Sequence, residues 1–400
     1  MKKPIQPLLS IHVVWHPDFV EGQRLARKML DRFQGDPLHD LNLRVGIPVL
    51  FPSMSAADGQ APQPIDAEQS ELTAVVVLVN ASLVGSPEWI EYFRVLERLA
   101  AKHALRTLLI PVIFDRKDLG VLGTKIQAIR WDKWDRVDRE TAEARFFALL
   151  LHQLCRMVRV HLDAELEKRD SEAYLEAYLR KVQVFLSHSK HDSFGEPLAI
   201  SLRKCIHDDL DLGSFFDLVD ISPGLPFDDV ILHSVRRSAI VVIHTDSYST
   251  REWCRREALE AKLHGRPIVV ANCLADREER GFPYLGNVPV VRVNPTEPGR
   301  LVHVVVRLLE EILSQLLWEG RTRKYVAQKK PGVEFVSNWP ELLTLVRIGR
   351  ASAGSKSKRT PLTLVYPDPP LSNEEERLFE ALLPGTDLKS FRQWQAATGL

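Results

Sequence analysis

The stretch from Ser247 to Lys262 reads SYSTREWCRREALEAK, and in it Trp253 and Glu257 stand four residues apart. On a helix that spacing puts both on one face. An indole beside a carboxylate offers a flat stacking surface and an acid whose pKa rises where the ring excludes water. The plainer reading takes Glu257, among Arg255, Arg256 and Glu260, as a solvated helix charge. Upstream, Val182 to Asp192 is a short apolar strand that breaks into Ser187-His-Ser-Lys-His-Asp192. Hydroxyls and a cation at a strand's carboxyl end are where an open α/β sheet carries a ligand.

Other chemistries find less support. His188 and His191 are spaced as His-x-x-His, but no third ligand accompanies them at metal spacing, so no metal site is expected. Neither GxGxxG nor GxxxxGK[ST] occurs, which argues against a redox dinucleotide fold and a P-loop. Between the two stretches lies Phe215 to Phe227, a strand end running into a Pro/Gly loop and then a helix.

Three pieces in this order resemble the Toll/interleukin-1 receptor (TIR) domain family. The first box is similar to Val184-Phe-Leu-Ser-His-Ser, the loop after the second strand to Asp220-Ile-Ser-Pro-Gly224, and the helix to Trp253-Cys-Arg-Arg-Glu257. The resemblance covers about Lys181 to Pro295. It implies a flavodoxin-like fold and cleavage of NAD+ at the nicotinamide–ribose bond, with NAD+ as substrate and no cofactor. Glu257 would then be the catalytic carboxylate, stabilising or receiving an oxocarbenium-like ribosyl cation. The implied substrate-binding set is Ser187, His188, Ser189, Lys190, Asp220, Pro223, Gly224, Phe227 and Trp253, Phe227 matching only with a one-residue shift. A homo-oligomer assembled through TIR contacts is also implied, with defence or signalling as its use.

The elements that would position these residues alternate strand and helix. Ser10 to Trp15, Leu43 to Phe51, Ala74 to Val79 and Thr107 to Phe114 read as strands, with helical patterns over Glu21 to Phe33 and from Pro87. This βαβαβ order predicts a doubly wound parallel sheet. The order repeats downstream, as a duplication would give and as any two flavodoxin-like domains would also show; setting Trp89 against Trp253 places Phe93 where Glu257 stands, so the first domain lacks the acid. The fold class expected is α/β, with two flavodoxin-like domains joined by a helical linker and a small C-terminal α/β tail. The boundaries are 1–137, 138–180, 181–320 and 321–400. Phe146, Phe147, Leu150, Leu154, Met157 and Val158 form the linker's apolar stripe, Leu301 to Trp318 closes the second domain, and Ala351 to Lys358 is a candidate flexible connection.

Composition sets outer bounds. The 400 residues carry 53 Lys and Arg against 53 Asp and Glu, so net charge points to no particular partner. With 45% hydrophobic and 26% charged residues the chain has the make-up of a soluble globular protein. Four separated cysteines fit reduced thiols in a cytoplasmic protein. No run of about 18 apolar residues occurs, so no membrane span is expected. Nucleic acid is not expected either: the first domain shows no base-stacking aromatic cluster, and the basic tail rests on charge alone.

Two functions remain open at this point. One is an NAD+ nucleosidase activated by oligomerisation; the other is a non-catalytic adaptor acting through TIR–TIR contact. A sensor or partner protein would engage the first domain or the tail.

Overall fold

The computed structural model describes residues 6–34, 46–55, 62–104, 106–167, 182–210, 213–215, 227–278, 281–296, 298–327, 332–353 and 362–399. The fold is α/β with parallel sheets. The chain forms two compact units, Met1–Val182 with Asp208–Leu212, and Gln183–His207 with Gly213–Leu400.

In the first unit, β1 (Leu9–Trp15), β2 (Val49–Leu50), β3 (Leu72–Val79), β4 (Thr107–Ile113) and β5 (Ile129–Arg130) form one sheet in the order β2-β1-β3-β4-β5, every pair parallel. This is the flavodoxin-like order. All eight residues of β3, LTAVVVLV, are buried, as a strand covered on both faces requires. Helix α1 (Val20–Phe33) buries Leu25, Ala26, Met29 and Phe33 at helical spacing. After β3, Asn80 accepts a hydrogen bond from the backbone N–H of Leu83 and caps α2 (Ala81–Gly85). Helix α3 (Pro87–Lys102) starts on a proline and buries Trp89, Tyr92, Phe93 and Leu96. Phe93 is thus a core residue. Helix α4 (Arg116–Leu122) is capped by Asp115. Helix α5 (Arg139–Glu167) carries the expected stripe, and Phe146, Phe147, Leu150, Leu154, Met157 and Val158 are all buried.

Aromatic side chains follow the strands of this unit: Trp15 lies edge-on to Phe51, Phe19 edge-on to Phe114, and Phe114 stacks on Trp131 at 5.0 Å. These rings are far apart in sequence, and only the sheet order brings them together.

The second unit repeats the strand order. Strands β6 (Gln183–His188), β7 (Gly213–Phe215), β8 (Ala239–His244), β9 (Ile268–Asn272) and β10 (Val290–Arg292) pair in the order β10-β9-β8-β6-β7, all parallel. Between them run α6 (Gly195–Lys204), α7 (Phe227–Val235) and α8 (Glu252–Leu263). Closing helix α9 (Leu301–Ala327) continues nine residues past Trp318, because its inward stripe continues through Trp318, Thr322 and Tyr325. Tyr325 stacks on Phe335 and meets Phe391 and Trp394 edge-on.

Those rings belong to a third parallel sheet, β11 (Val333–Phe335), β12 (Leu362–Tyr366) and β13 (Thr386–Ser390), in the order β11-β12-β13. It is accompanied by α10 (Leu342–Ala353), α11 (Asn373–Leu382) and α12 (Phe391–Thr398). Ser372 and Glu375 form a capping box at the start of α11. The candidate flexible connection falls mostly outside the described residues. No helix among the described residues is long and apolar enough to cross a membrane.

Candidate functional site

In a sheet of this order the strand order reverses between β6 and β8, and the crevice outside their carboxyl ends is where ligands bind in open α/β folds. Ser187 and His188 end β6, paired in register with Val242 and Ile243 of β8. The apolar run VFL of β6 stops at Leu186, whereas AIVVI of β8 continues two residues further in register, to Ile243, so β6 turns polar first.

Helix α8 follows β8 through a short 3₁₀ turn, Tyr248–Thr250, and Arg251 at its N-cap makes no side-chain capping bond. Its inward stripe is Cys254, Glu257, Ala258 and Ala261, all buried. Three small residues let the helix lie close on the sheet, and Glu257 is the one long side chain among them. It is 5% exposed. Ser187 Oγ donates to Glu257 Oε2 at 2.5 Å, and the Tyr248 hydroxyl lies 2.7 Å from Ser187 Oγ and 3.2 Å from the carbonyl oxygen of Cys254. Burial pushes the Tyr248 phenol well above its ordinary pKa, Cys254 and Glu257 adding to the shift, so it stays protonated as a donor. Glu257, Ser187 and Tyr248 thus tie α8 to the end of β6.

A second, half-buried network lies beside it. Asp192 Oδ1 accepts the backbone N–H groups of Phe194 and Gly195 at 3.1 and 2.7 Å, opening α6. Its Oδ2 accepts the hydroxyls of Thr245 at 2.6 Å and Ser247 at 2.5 Å. Ser247 also contacts Ser189 Oγ at 2.7 Å. Burial raises the Asp192 pKa, but the Ser247, Thr245, Gly195 and Phe194 hydrogen bonds outweigh it and hold the carboxyl below the usual range. Gly195 is required by close approach: a Cβ there would collide with the carbonyl oxygen of Ser189.

On its other side α8 borders a cavity of about 830 Å³, lined by Ser249, Thr250, Glu252, Arg255, Arg256, Leu259 and Gly281 to Tyr284. That volume is in the range of small-molecule sites. Residues 252, 255, 256 and 259 recur at helical spacing, a face distinct from the one that carries Glu257. Two latches hold the segment after β9. Asp246 accepts the backbone N–H groups of Ala275 and Asp276 at 2.9 and 3.1 Å, and Glu278 accepts the Ser249 hydroxyl while lying 2.9 Å from His244 Nε2. Farther along, Lys262 donates to the carbonyl oxygen of Gly286 at 2.9 Å and to Glu341 at 2.8 Å.

The structure brings together some of the residues singled out from the sequence and separates others. Ser187, Ser189 and His188 are 1%, 1% and 7% exposed, whereas Lys190 is exposed. Trp253 is half-buried against the core of the second unit, and Arg256 sits over its ring at 4.0 Å, so a guanidinium takes the stacking position expected for a substrate ring. Asp220, Pro223 and Gly224 lie outside the described residues. Phe227 opens α7. Among the described residues no group of three or more His, Cys, Asp and Glu is placed to hold a metal ion. Sequence reasoning missed Tyr248, Asp192 as the centre of a network, and the outward stripe of α8. The 3–4 spacing of Glu252, Arg255, Arg256 and Leu259 was the available signal.

No family model matches the chain, and no curated protein does. Among solved structures it matches the C-terminal domain of glucosamine-fructose-6-phosphate aminotransferase from Francisella tularensis at 10% identity and TM-score 0.22, over 78% of this chain and 85% of that one. It also matches a putative phosphosugar isomerase from Silicibacter pomeroyi at 11% identity and TM-score 0.21, over 80% and 88%. Likeness at this level carries nothing about what the chain binds or does.

The recognition drawn from the three boxes is corrected. No family model matches the chain, so the three boxes do not make it a TIR domain. TIR membership, the NAD+ nucleosidase and its hydrolase class, the TIR adaptor alternative, and the defence and signalling roles are withdrawn. The geometry supplies physical reasons: Glu257 points into the helix–sheet contact with its carboxylate engaged by Ser187, and the large cavity opens on another face of its helix.

Proposed function

We propose that the second unit is a small-molecule-binding module whose ligand occupies the cavity between α8 and the segment 281–284. One observation carries this reading: about 830 Å³ of space bordered by two guanidiniums, two hydroxyls, a carboxylate and two aromatic rings. Its walls are braced from behind, by the Ser187–Glu257 contact on one side and by Lys262 on the other. On this reading Ser187 and Glu257 are positioning residues, setting how closely α8 approaches β6, and Asp192 orders the neighbouring turn.

A thermal-shift screen of the full chain against a chemically broad set of metabolites tests it, run beside Leu259→Trp, which fills the cavity from its half-buried wall. Compounds that bind there raise the melting temperature of the wild type and not of the variant. The reading fails if every stabilising compound acts equally on both.

A further inference from the structure

Hydrogen-bonding capacity around the cavity is unevenly supplied. The Ser249 hydroxyl spends its hydrogen on Glu278 and one side of its oxygen faces His244 Nε2 at 3.2 Å, while the Thr250 hydroxyl donates to the carbonyl oxygen of Ser247 at 2.8 Å. Both therefore turn lone pairs, not hydrogens, toward an occupant. The Glu252 side chain offers its two carboxyl oxygens as acceptors. The side-chain donors of strength are the guanidiniums of Arg255, which is exposed, and Arg256, which is steadied over the Trp253 ring at 4.0 Å.

An occupant that satisfies this lining needs an anionic group for the guanidiniums and several hydroxyls for Ser249, Thr250 and Glu252. Guanidiniums pair with phosphate through two parallel N–H donors, which favours phosphate as the anion. Phe282 and Tyr284 complete the wall, both half-buried, their ring centroids 5.3 Å apart and their planes 73° to one another. Such rings pack against the C–H face of a furanose or pyranose.

We propose that the cavity takes a sugar phosphate, an inference that rests on the reading of this cavity as the ligand site. Arg255 and Arg256 hold the phosphate, Glu252, Ser249 and Thr250 accept the hydroxyls, and Phe282 and Tyr284 cover the ring. Inorganic phosphate would leave the acceptors and rings unused. A nucleotide would supply a flat base but fewer hydroxyls.

Isothermal titration of the full chain decides it, with glucose 6-phosphate, ribose 5-phosphate, glucose, inorganic phosphate and AMP as probes. At least one sugar phosphate is expected to bind, with glucose and inorganic phosphate each at least about tenfold weaker, the loss expected when one charged hydrogen-bonding partner is missing. Arg255→Ala should cost that sugar phosphate about tenfold to a hundredfold. Glu252→Gln should weaken the sugar phosphate without strengthening inorganic phosphate.

The inference is overturned if AMP binds more tightly than both sugar phosphates, if glucose equals glucose 6-phosphate, or if Glu252→Gln tightens every anion. If neither sugar phosphate binds while another compound does, and Leu259→Trp abolishes that binding, the ligand class is wrong and the cavity reading stands. If Leu259→Trp leaves all binding intact, both fall.

Discussion

Arg255 and Glu257 stand two positions apart on α8 and serve opposite environments. Arg255 is exposed at the cavity, while Glu257 is 5% exposed and receives the Ser187 hydroxyl at 2.5 Å. Two residues turn a helix by about 200°, so adjacent acid and base share almost no surroundings.

That opposition predicts a split between stability and binding. Glu257→Ala should cost about 1–3 kcal/mol, because Ser187 loses its acceptor in a buried place. Glu257→Gln, which keeps an acceptor of the same size, should cost less. Arg255→Ala should stay within about 0.5 kcal/mol of wild type. Urea unfolding of the three variants reads the difference; equal losses for Glu257→Ala and Arg255→Ala would show that the carboxylate is not engaged as described.

Asp192 gives part of the acid sensitivity a sign. Its folded pKa is lowered, so its hydrogen bonds contribute stability above the unfolded value of about 3.9 and lose it as pH falls through the folded one. Asp192→Asn should be less stable than wild type at pH 6, and the gap should narrow as pH falls below about 4. A gap that stays constant from pH 6 to pH 3 would rule this out.

His12 works in a different window. Burial lowers its pKa to about 4 against a small opposing effect of Asp66, and its Nδ1 has no hydrogen-bond partner among the described residues. The unfolded chain takes up a proton at this residue near pH 6.5 that the folded chain refuses until about pH 4. Stability therefore falls with pH between those values, by up to about 3 kcal/mol, and no further below them. His12→Leu should flatten this part of the profile in unfolding experiments at pH 4 and pH 7.

Lys262 joins the cavity wall to the C-terminal part of its unit. Its side chain is 6% exposed and reaches both Gly286 and Glu341. Lys262→Met should cost about 0.5–1.5 kcal/mol, the net worth of the hydrogen bonds it removes, since water reaches both Gly286 and Glu341. It should also speed hydrogen exchange in segment 281–286. Unchanged exchange there, with stability lost, would mean that the lysine braces only the C-terminal sheet.

Much of the fold was legible because it depends on local pattern. The apolar runs LTAVVVLV and AIVVIH, interrupted by helical spacing, announce buried parallel strands before any contact is known. Trp89, Tyr92, Phe93 and Leu96 announce one inward helix face, and Ser372 with Glu375 announces a cap. The end of α9 was misjudged because Thr322 and Tyr325 look polar in isolation; both are buried, and Tyr325 lies against rings from positions 335, 391 and 394.

What the sequence determined by itself is the alternation of elements, the doubly wound class and the level at which each strand turns polar, since these follow from hydrophobic period and turn chemistry within a few residues. Only the tertiary structure decided what α8 does with its side chains. Trp253 and Glu257 share a helix face by spacing alone, but whether that face meets solvent or the sheet depends on packing against β6 and Tyr248. The inward stripe of Cys254, Glu257, Ala258 and Ala261 contains too little apolar surface to identify itself as the buried one. Close approach to the sheet buries it all the same, and the hydroxyl of Ser187, seventy positions away, makes that burial tolerable for a carboxylate.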